Sequence, residues 1–121
     1  MEPTVFGQIL ARMLSEIPVS RGVIFADDEG EIIDQASQSD ATEMAFFGAH
    51  WGIVFRQTRT RFQNLAIDEP EMMILGFERE RVILCGIEGG YYIALALPPD
   101  GNIGHAARLL RQTRKAIVEQ M

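Results

Sequence analysis

Cys85, His50 and His105 are the only thiol and the only two imidazoles in this chain of 121 residues. A nucleophilic thiolate needs a neighbouring base or cation to lower its pKa. Cys85 stands instead in the apolar run Val82-Ile83-Leu84-Cys85-Gly86-Ile87, where it reads as a buried structural thiol. The histidines fall on separate helical stretches with no Ser, Cys or Asp placed as a partner, so both read as surface side chains. Together the three make a poor zinc set, and a lone cysteine permits no internal disulfide. Asp27-Asp28-Glu29 offers carboxylates, but the ligand spacing of an EF-hand loop is missing and Gly30 follows, as in a hairpin turn. Glu88-Gly89-Gly90 lacks both the spacing of a phosphate-cradling loop and the Lys-Ser/Thr that should follow it. The residues therefore point to a protein with no catalytic set, no metal and no cofactor, which does not itself bind or hydrolyse nucleotide.

Two cationic groups remain: Arg56, Arg59 and Arg61 in one helical stretch, and Arg108, Arg111, Arg114 and Lys115 in another. Each reads as a solvated helix face, and the second also suits the negative end of a helix dipole. The functional alternative is docking on an acidic protein surface, where arginine is over-represented. The formal charge of −6, with a pI near 4.8, opposes binding to nucleic acid or to an anionic membrane, since both require cations that neutralise phosphates. No apolar run approaches the roughly 18 residues that span a bilayer. Met1-Glu2-Pro3-Thr4 has neither the basic start nor the apolar stretch of a signal peptide, so the expected location is cytoplasmic. A content of 47% hydrophobic and 23% charged residues suits a folded domain rather than a disordered chain. One domain over residues 1–121 is expected.

The elements that carry these residues follow from periodicity. Val5, Phe6, Ile9, Leu10, Met13, Leu14 and Ile17 recur at three- and four-residue spacing from Thr4 to Ile17, ahead of Pro18, and predict a first helix. Arg21–Ala26 and a run from Ile32 to about Ser37 flank Asp27-Asp28-Glu29-Gly30 as a β-hairpin. Ser39 or Asp40 can cap a long second helix reaching about Asn64, with Glu43 completing a capping arrangement. After Ile67-Asp68-Glu69-Pro70, strands at Met72–Phe77, Val82–Ile87 and Tyr91–Leu97 form an antiparallel meander through short connections. Pro98-Pro99-Asp100-Gly101 ends it, and Ile103–Gln120 returns to helical spacing. The order is α-β-β-α-β-β-β-α, with no linker or repeat.

The second helix is apolar on two faces. Met44, Phe47, Trp51, Val54, Phe55, Thr58, Phe62 and Leu65 form its main stripe. Phe46 and Ile53 lie almost opposite, among Ala49, His50, Gln57 and Thr60. Such a helix has one partner too many for a monomer. The strand Met72-Met73-Ile74-Leu75-Gly76-Phe77 poses the same problem, because it is apolar on both faces yet falls at the edge of the meander. Pairing each with its two-fold mate resolves both, which makes Phe46, Ala49, His50, Ile53, Gln57, Met73, Leu75 and Phe77 the expected dimer or partner interface.

The hairpin Arg21-Gly22-Val23-Ile24-Phe25-Ala26-Asp27-Asp28-Glu29-Gly30-Glu31-Ile32-Ile33, set in this order of elements with a terminal helix after Pro98-Pro99-Asp100-Gly101-Asn102-Ile103-Gly104, resembles the roadblock (dynein light chain) family over nearly the whole chain. The resemblance implies an α/β (α+β) fold of the profilin-like/roadblock kind, a five-stranded antiparallel sheet flanked by helices. It also implies homodimers in which third strands and second helices pair, and a role as regulator or platform for Ras-like small GTPases, including bacterial ones that control polarity and motility. On that reading Arg56, Arg59 and Arg61 become possible GTPase contacts. A competing expectation is a small-molecule sensor of profilin-like or PAS-like type, with a ligand held between sheet and helix near Trp51, Tyr91 and Tyr92.

Overall fold

Each helix of the computed structural model, which describes residues 4–38, 40–66, 68 and 70–121, begins at a side chain that caps it. Thr4 accepts the Gly7 N–H at 3.2 Å to open α1 (Val5–Ser15). Asp40 accepts that of Thr42 at 2.7 Å to open α2 (Ala41–Asn64), with Glu43 in the first turn. Asn102 accepts that of His105 at 3.0 Å to open α3 (Ile103–Glu119). In each case a short polar side chain replaces a hydrogen bond that the first helical turn lacks. Ser39, the other cap considered for α2, lies outside the described residues, as do Met1–Pro3, Ile67 and Glu69.

The strands are β1 (Gly22–Ala26), β2 (Ile32–Ser37), β3 (Met72–Gly76), β4 (Arg81–Gly86) and β5 (Tyr92–Leu97). Every neighbouring pair is antiparallel, in the spatial order β2-β1-β5-β4-β3. The β1–β2 turn is held by Asp27, whose Oδ1 accepts the N–H groups of Glu29 and Glu31, both at 2.9 Å, while Gly30 supplies φ +86°. The expected hairpin turn is thus what these acids build. Between β4 and β5, the short connection Glu88–Gly90 forms a single 3-10 turn, and Gly89 and Gly90 both take left-handed φ values.

Strand alternation sends residues to two layers. Val23, Phe25, Ile83, Cys85, Ile93, Leu95 and Leu97 face α1 and α3, where Leu10, Met13, Leu14, Leu110 and Ile117 complete one core. Ile24, Ala26, Val82, Leu84, Tyr92, Ala94 and Ala96 face α2, where Met44, Phe47 and Phe55 complete the other. The fold class expected from the sequence is the one observed. Element ends move by a residue or two, most at α1, which stops at Ser15 although Ile17 is still buried. Leu65 does not close the inner stripe of α2. It is the C-cap residue and is exposed, because the chain leaves the helical path there and turns at Ala66 with φ 56°.

Candidate interface on the second helix and the third strand

The α2–sheet packing is unusually close, and two glycines make it so. A Cβ on Gly48 would lie 2.7 Å from Ile24 Cδ1, and one on Gly52 would lie 2.0 Å from Tyr92 Oη and 2.8 Å from its Cζ. The Tyr92 hydroxyl donates to the Gly48 carbonyl at 3.1 Å, so the β5 side chain grips the helix backbone directly. Burial raises that phenol from 10.0 to about 12. Sequence reading passed over Gly48 and Gly52, although their i, i+4 spacing on the inward face was the available signal.

Sunk in this way, α2 turns a separate row of residues outward. Phe46 is 72% exposed and Ile53 49% exposed, and Ala49, His50 and Gln57 beside them are exposed as well. The row continues onto the sheet edge through aromatic contacts. The His50 ring meets Trp51 edge-on at 4.9 Å, and Trp51 lies 5.4 Å from Phe77, the first residue after β3. Phe77 is 51% and Ile74 46% exposed, whereas Met73 and Leu75 pack partly against the α2-side core. Of the expected interface residues, six thus remain largely in water, and two anchor β3 to the layer below them.

The two edges of the sheet are built differently. At β2 the register shifts between Phe25 and Ala26, and the Asp34 carboxylate accepts the N–H of Gln35 at 2.8 Å and both the N–H and the hydroxyl of Thr4. A bulge and an ionised side chain occupying a backbone donor are devices that blunt an edge. β3 shows neither among the described residues: it runs in unbroken register from Met72↔Cys85 to Gly76↔Arg81 and has no strand on its outer side.

The two arginine groups do not behave as units. Arg56 and Arg59 line a 240 Å³ groove with Asp28, Gly90 and Tyr92, Arg56 donating to the Asp28 carbonyl at 3.3 Å and Arg59 stacking 5.7 Å from the Phe55 ring. Arg61 stands about 140° around the helix from Arg56, and the two line opposite sides of a shallow surface groove with Gln57, Thr60 and Asn64. On α3 the helix-dipole account fails, because the last turn carries no cation. Arg114 instead donates to the Gly86 carbonyl at 2.8 Å, and Arg111 sits 3.5 Å from Glu71 in an exposed pair. An ion pair that sequence reading missed joins Arg21 to Glu80 through two bonds of 2.6 and 2.9 Å, with the guanidinium 4.9 Å from the Phe47 ring.

Of the reactive side chains, Cys85 is buried in the α1/α3-side core, and burial pushes its thiol from 9.0 up to about 11. His105 hydrogen-bonds the Glu16 carbonyl at 3.1 Å, on the opposite side of the sheet from His50. Among the described residues no group of three or more His, Cys, Asp or Glu side chains is arranged to hold a metal ion. No helix is long and apolar enough to cross a membrane.

No protein-family model matches the sequence, and no curated protein matches it significantly. Solved structures do match. MglB from Myxococcus xanthus superposes with a TM-score of 0.85 over 100% of both chains at 10% identity. A Roadblock/LC7 domain from Streptomyces avermitilis gives 0.85 over 94% of this chain and 95% of its own, at 7% identity. The gliding protein MglB of Thermus thermophilus gives 0.78 over 98% and 96%, at 11% identity. The chain has the roadblock fold.

Proposed function

We propose that this chain is a homodimeric, non-catalytic protein-binding module that regulates or scaffolds a Ras-like small GTPase in the cytoplasm, as a single roadblock-like domain over residues 1–121. The observation that carries the reading is the water-exposed outer row of α2, with Phe46 and Ile53, linked through the His50–Trp51–Phe77 ring contacts to the unblunted β3 edge. Two copies related by a two-fold axis cover it by setting α2 on α2 and β3 beside β3. Covering the water-exposed fractions of Phe46, Ile53 and Phe77 contributes roughly 2.5–5 kcal/mol per subunit, or about 5–10 kcal/mol for the pair. Association costs an estimated ~4–15 kcal/mol, so the apolar term is of the required size and β3–β3 backbone bonds add to it. The neighbour from Thermus thermophilus is named as a gliding protein, which supports bacterial motility as the setting of the GTPase partner. Arg56 with Arg59 on one flank of α2, and Arg61 on the other, are the proposed GTPase contacts.

The sensor reading loses ground to the packing. Met44, Phe47, Phe55 and Tyr92 fill the space between α2 and the sheet, and the 240 Å³ groove beside Gly52 and Tyr92 is lined mostly by the polar and charged groups Asp28, Arg56, Arg59, Thr60 and Gln63.

Sedimentation equilibrium tests the dimer. The wild type is expected at twice the 13.6 kDa chain mass, and Ile53→Asp at one chain mass. A wild-type monomer at all micromolar concentrations sinks the reading. The GTPase arm measures exchange and hydrolysis on small Ras-like GTPases encoded in the same genome. No complex with any of them, and no change in either rate, removes that half of the proposal.

A further inference from the structure

At the end of the sheet where β4 turns into β5, a cleft of 490 Å³ opens between the C-terminal half of α2, the start of β3 and the middle of α3. Arg59 and Arg114 line it, together with Glu71, Gly86, Glu88 and Gly89. The 240 Å³ groove that holds Arg56 adjoins it through the shared Arg59.

What distinguishes Arg114 and Arg56 is how they are held. Arg114 is tethered by donating its Nε to the Gly86 carbonyl, and Arg56 by donating Nη1 to the Asp28 carbonyl. A carbonyl positions a guanidinium without cancelling its charge, unlike a carboxylate. Only one of the five N–H donors of Arg114 is used in that bond, and the planar fork at its far end matches the oxygens of a tetrahedral or carboxylate anion. Gly89 and Gly90, both in left-handed conformation, keep one rim of the cleft free of side chains. Burial dominates the rise of the Cys85 pKa; among the nearby charges Arg114 opposes that rise most, with Glu71 adding to it and Arg111 opposing it.

The net charge of the chain does not argue against an anion here. Exposed charges farther away than about 8 Å are largely screened at physiological ionic strength, so a small ligand feels the groups lining the cleft rather than the total of −6. Among the described residues the opposing charges that line the two openings are Glu71 and Glu88, and Asp28 in the adjoining groove.

We propose that this cleft is an anion-binding site for a phosphate group, with Arg114 as its anchor and Arg56 and Arg59 as flanking cations. The site shares Arg56 and Arg59 with the proposed GTPase contact, but its anchor Arg114 lies on α3 and takes no part in that contact or in the dimer. The phosphate has two sources, a free small phosphate or a phosphorylated side chain of a partner, and the ligand chemistry is the same for both.

The test is an NMR titration of the full chain at constant ionic strength with inorganic phosphate, pyrophosphate, a phosphoserine peptide and its unphosphorylated form, following the backbone amides of residues 86–90. Saturable shifts confined to these residues are expected, with Kd near the millimolar range for free phosphate. Tighter binding of pyrophosphate identifies a small-molecule source, and tighter binding of the phosphopeptide identifies a protein source. Arg114→Gln is expected to weaken binding about tenfold, the size of one charge-assisted contact. Because that variant also loses the Gly86 tether, Glu88→Gln is the second arm. Removing a lining carboxylate should tighten phosphate binding roughly two- to threefold, whereas a merely structural role would leave it unchanged. Shifts that do not saturate, that spread equally to Arg61 and Arg108, or that ignore both substitutions overturn the proposal.

Discussion

Replacing Gly52 by alanine perturbs the contact that sets the height of α2 above the sheet. The added methyl would stand 2.0 Å from the Tyr92 hydroxyl oxygen and 2.8 Å from Cζ, distances at which one group must move. Tyr92 is only 2% exposed, its ring packs against Phe55 at 5.8 Å, and its hydroxyl is bound to Gly48, so it has little room to yield. Overpacking of this kind costs about 1–3 kcal/mol. Breaking the hydroxyl's bond while the phenol stays buried adds about 1–3 kcal/mol. The better helix propensity of alanine returns roughly 1 kcal/mol. The expected net loss is therefore about 1–5 kcal/mol, a fall in Tm on the order of 5–20 °C for a chain of this size. Gly48→Ala should cost less, because the methyl there meets the tip of Ile24, a side chain that can rotate away. The decisive sample is Gly52→Ala combined with Tyr92→Phe, which deletes the closest clashing atom. Circular-dichroism melts at one fixed protein concentration should show the pair at least ~1 kcal/mol more stable than additivity allows. A Gly52→Ala protein as stable as the parent, or a strictly additive pair, would refute the close-packing argument.

Two further outcomes follow from single groups. Burial holds the Cys85 thiol at about 11 and the Tyr92 phenol at about 12, both above their unfolded values of 9.0 and 10.0. The folded state therefore keeps protons that the unfolded state releases, so stability is intact below pH 9 and drains away as pH rises through 9–12, by at most ~2–3 kcal/mol per group. Urea denaturation across that range checks this, and Cys85→Ala should flatten the pH 9–11 portion. Asp27→Ala removes the acceptor for the Glu29 and Glu31 N–H groups and should cost about 1–2 kcal/mol in the same assay, whereas Asp27→Asn, which keeps a carbonyl oxygen, should recover most of it.

Much of the fold was legible because it rests on local signals. The apolar spacing of α1, α2 and α3, the capping residue Asp40, and the Asp27–Gly30 turn act within a few residues of themselves. The exposure of Phe46 and Ile53 was also legible, since helical geometry alone places them opposite Met44 and Phe55. What could not be read was anything joining residues far apart in the chain. The Arg21–Glu80 pair spans 59 positions and the Tyr92–Gly48 bond 44, and no periodicity reports either. The dipole role expected for the α3 cations failed for a related reason: Arg114 answers to the Gly86 carbonyl, 28 residues away, rather than to the end of its own helix.

The same distinction explains why one sheet edge carries the interface argument and the other does not. From composition alone, β2 and β3 are both short, partly apolar strands that end a sheet. Once folded, Asp34 folds back on β2 to take the Gln35 N–H and to hold the start of α1, so a strand arriving there meets an occupied donor and a carboxylate. Along β3, Phe77 stands in water just beyond the free edge and packs on Trp51, so an apolar strip joins that edge to α2, while Ile74, paired with Ile83, is exposed on the opposite face of the sheet. A second copy of this strand and helix is complementary to that strip in both hydrogen bonding and apolarity. Because Gly48 and Gly52 keep α2 low on the sheet, its outer row and the β3 edge belong to one surface that a single two-fold partner can cover.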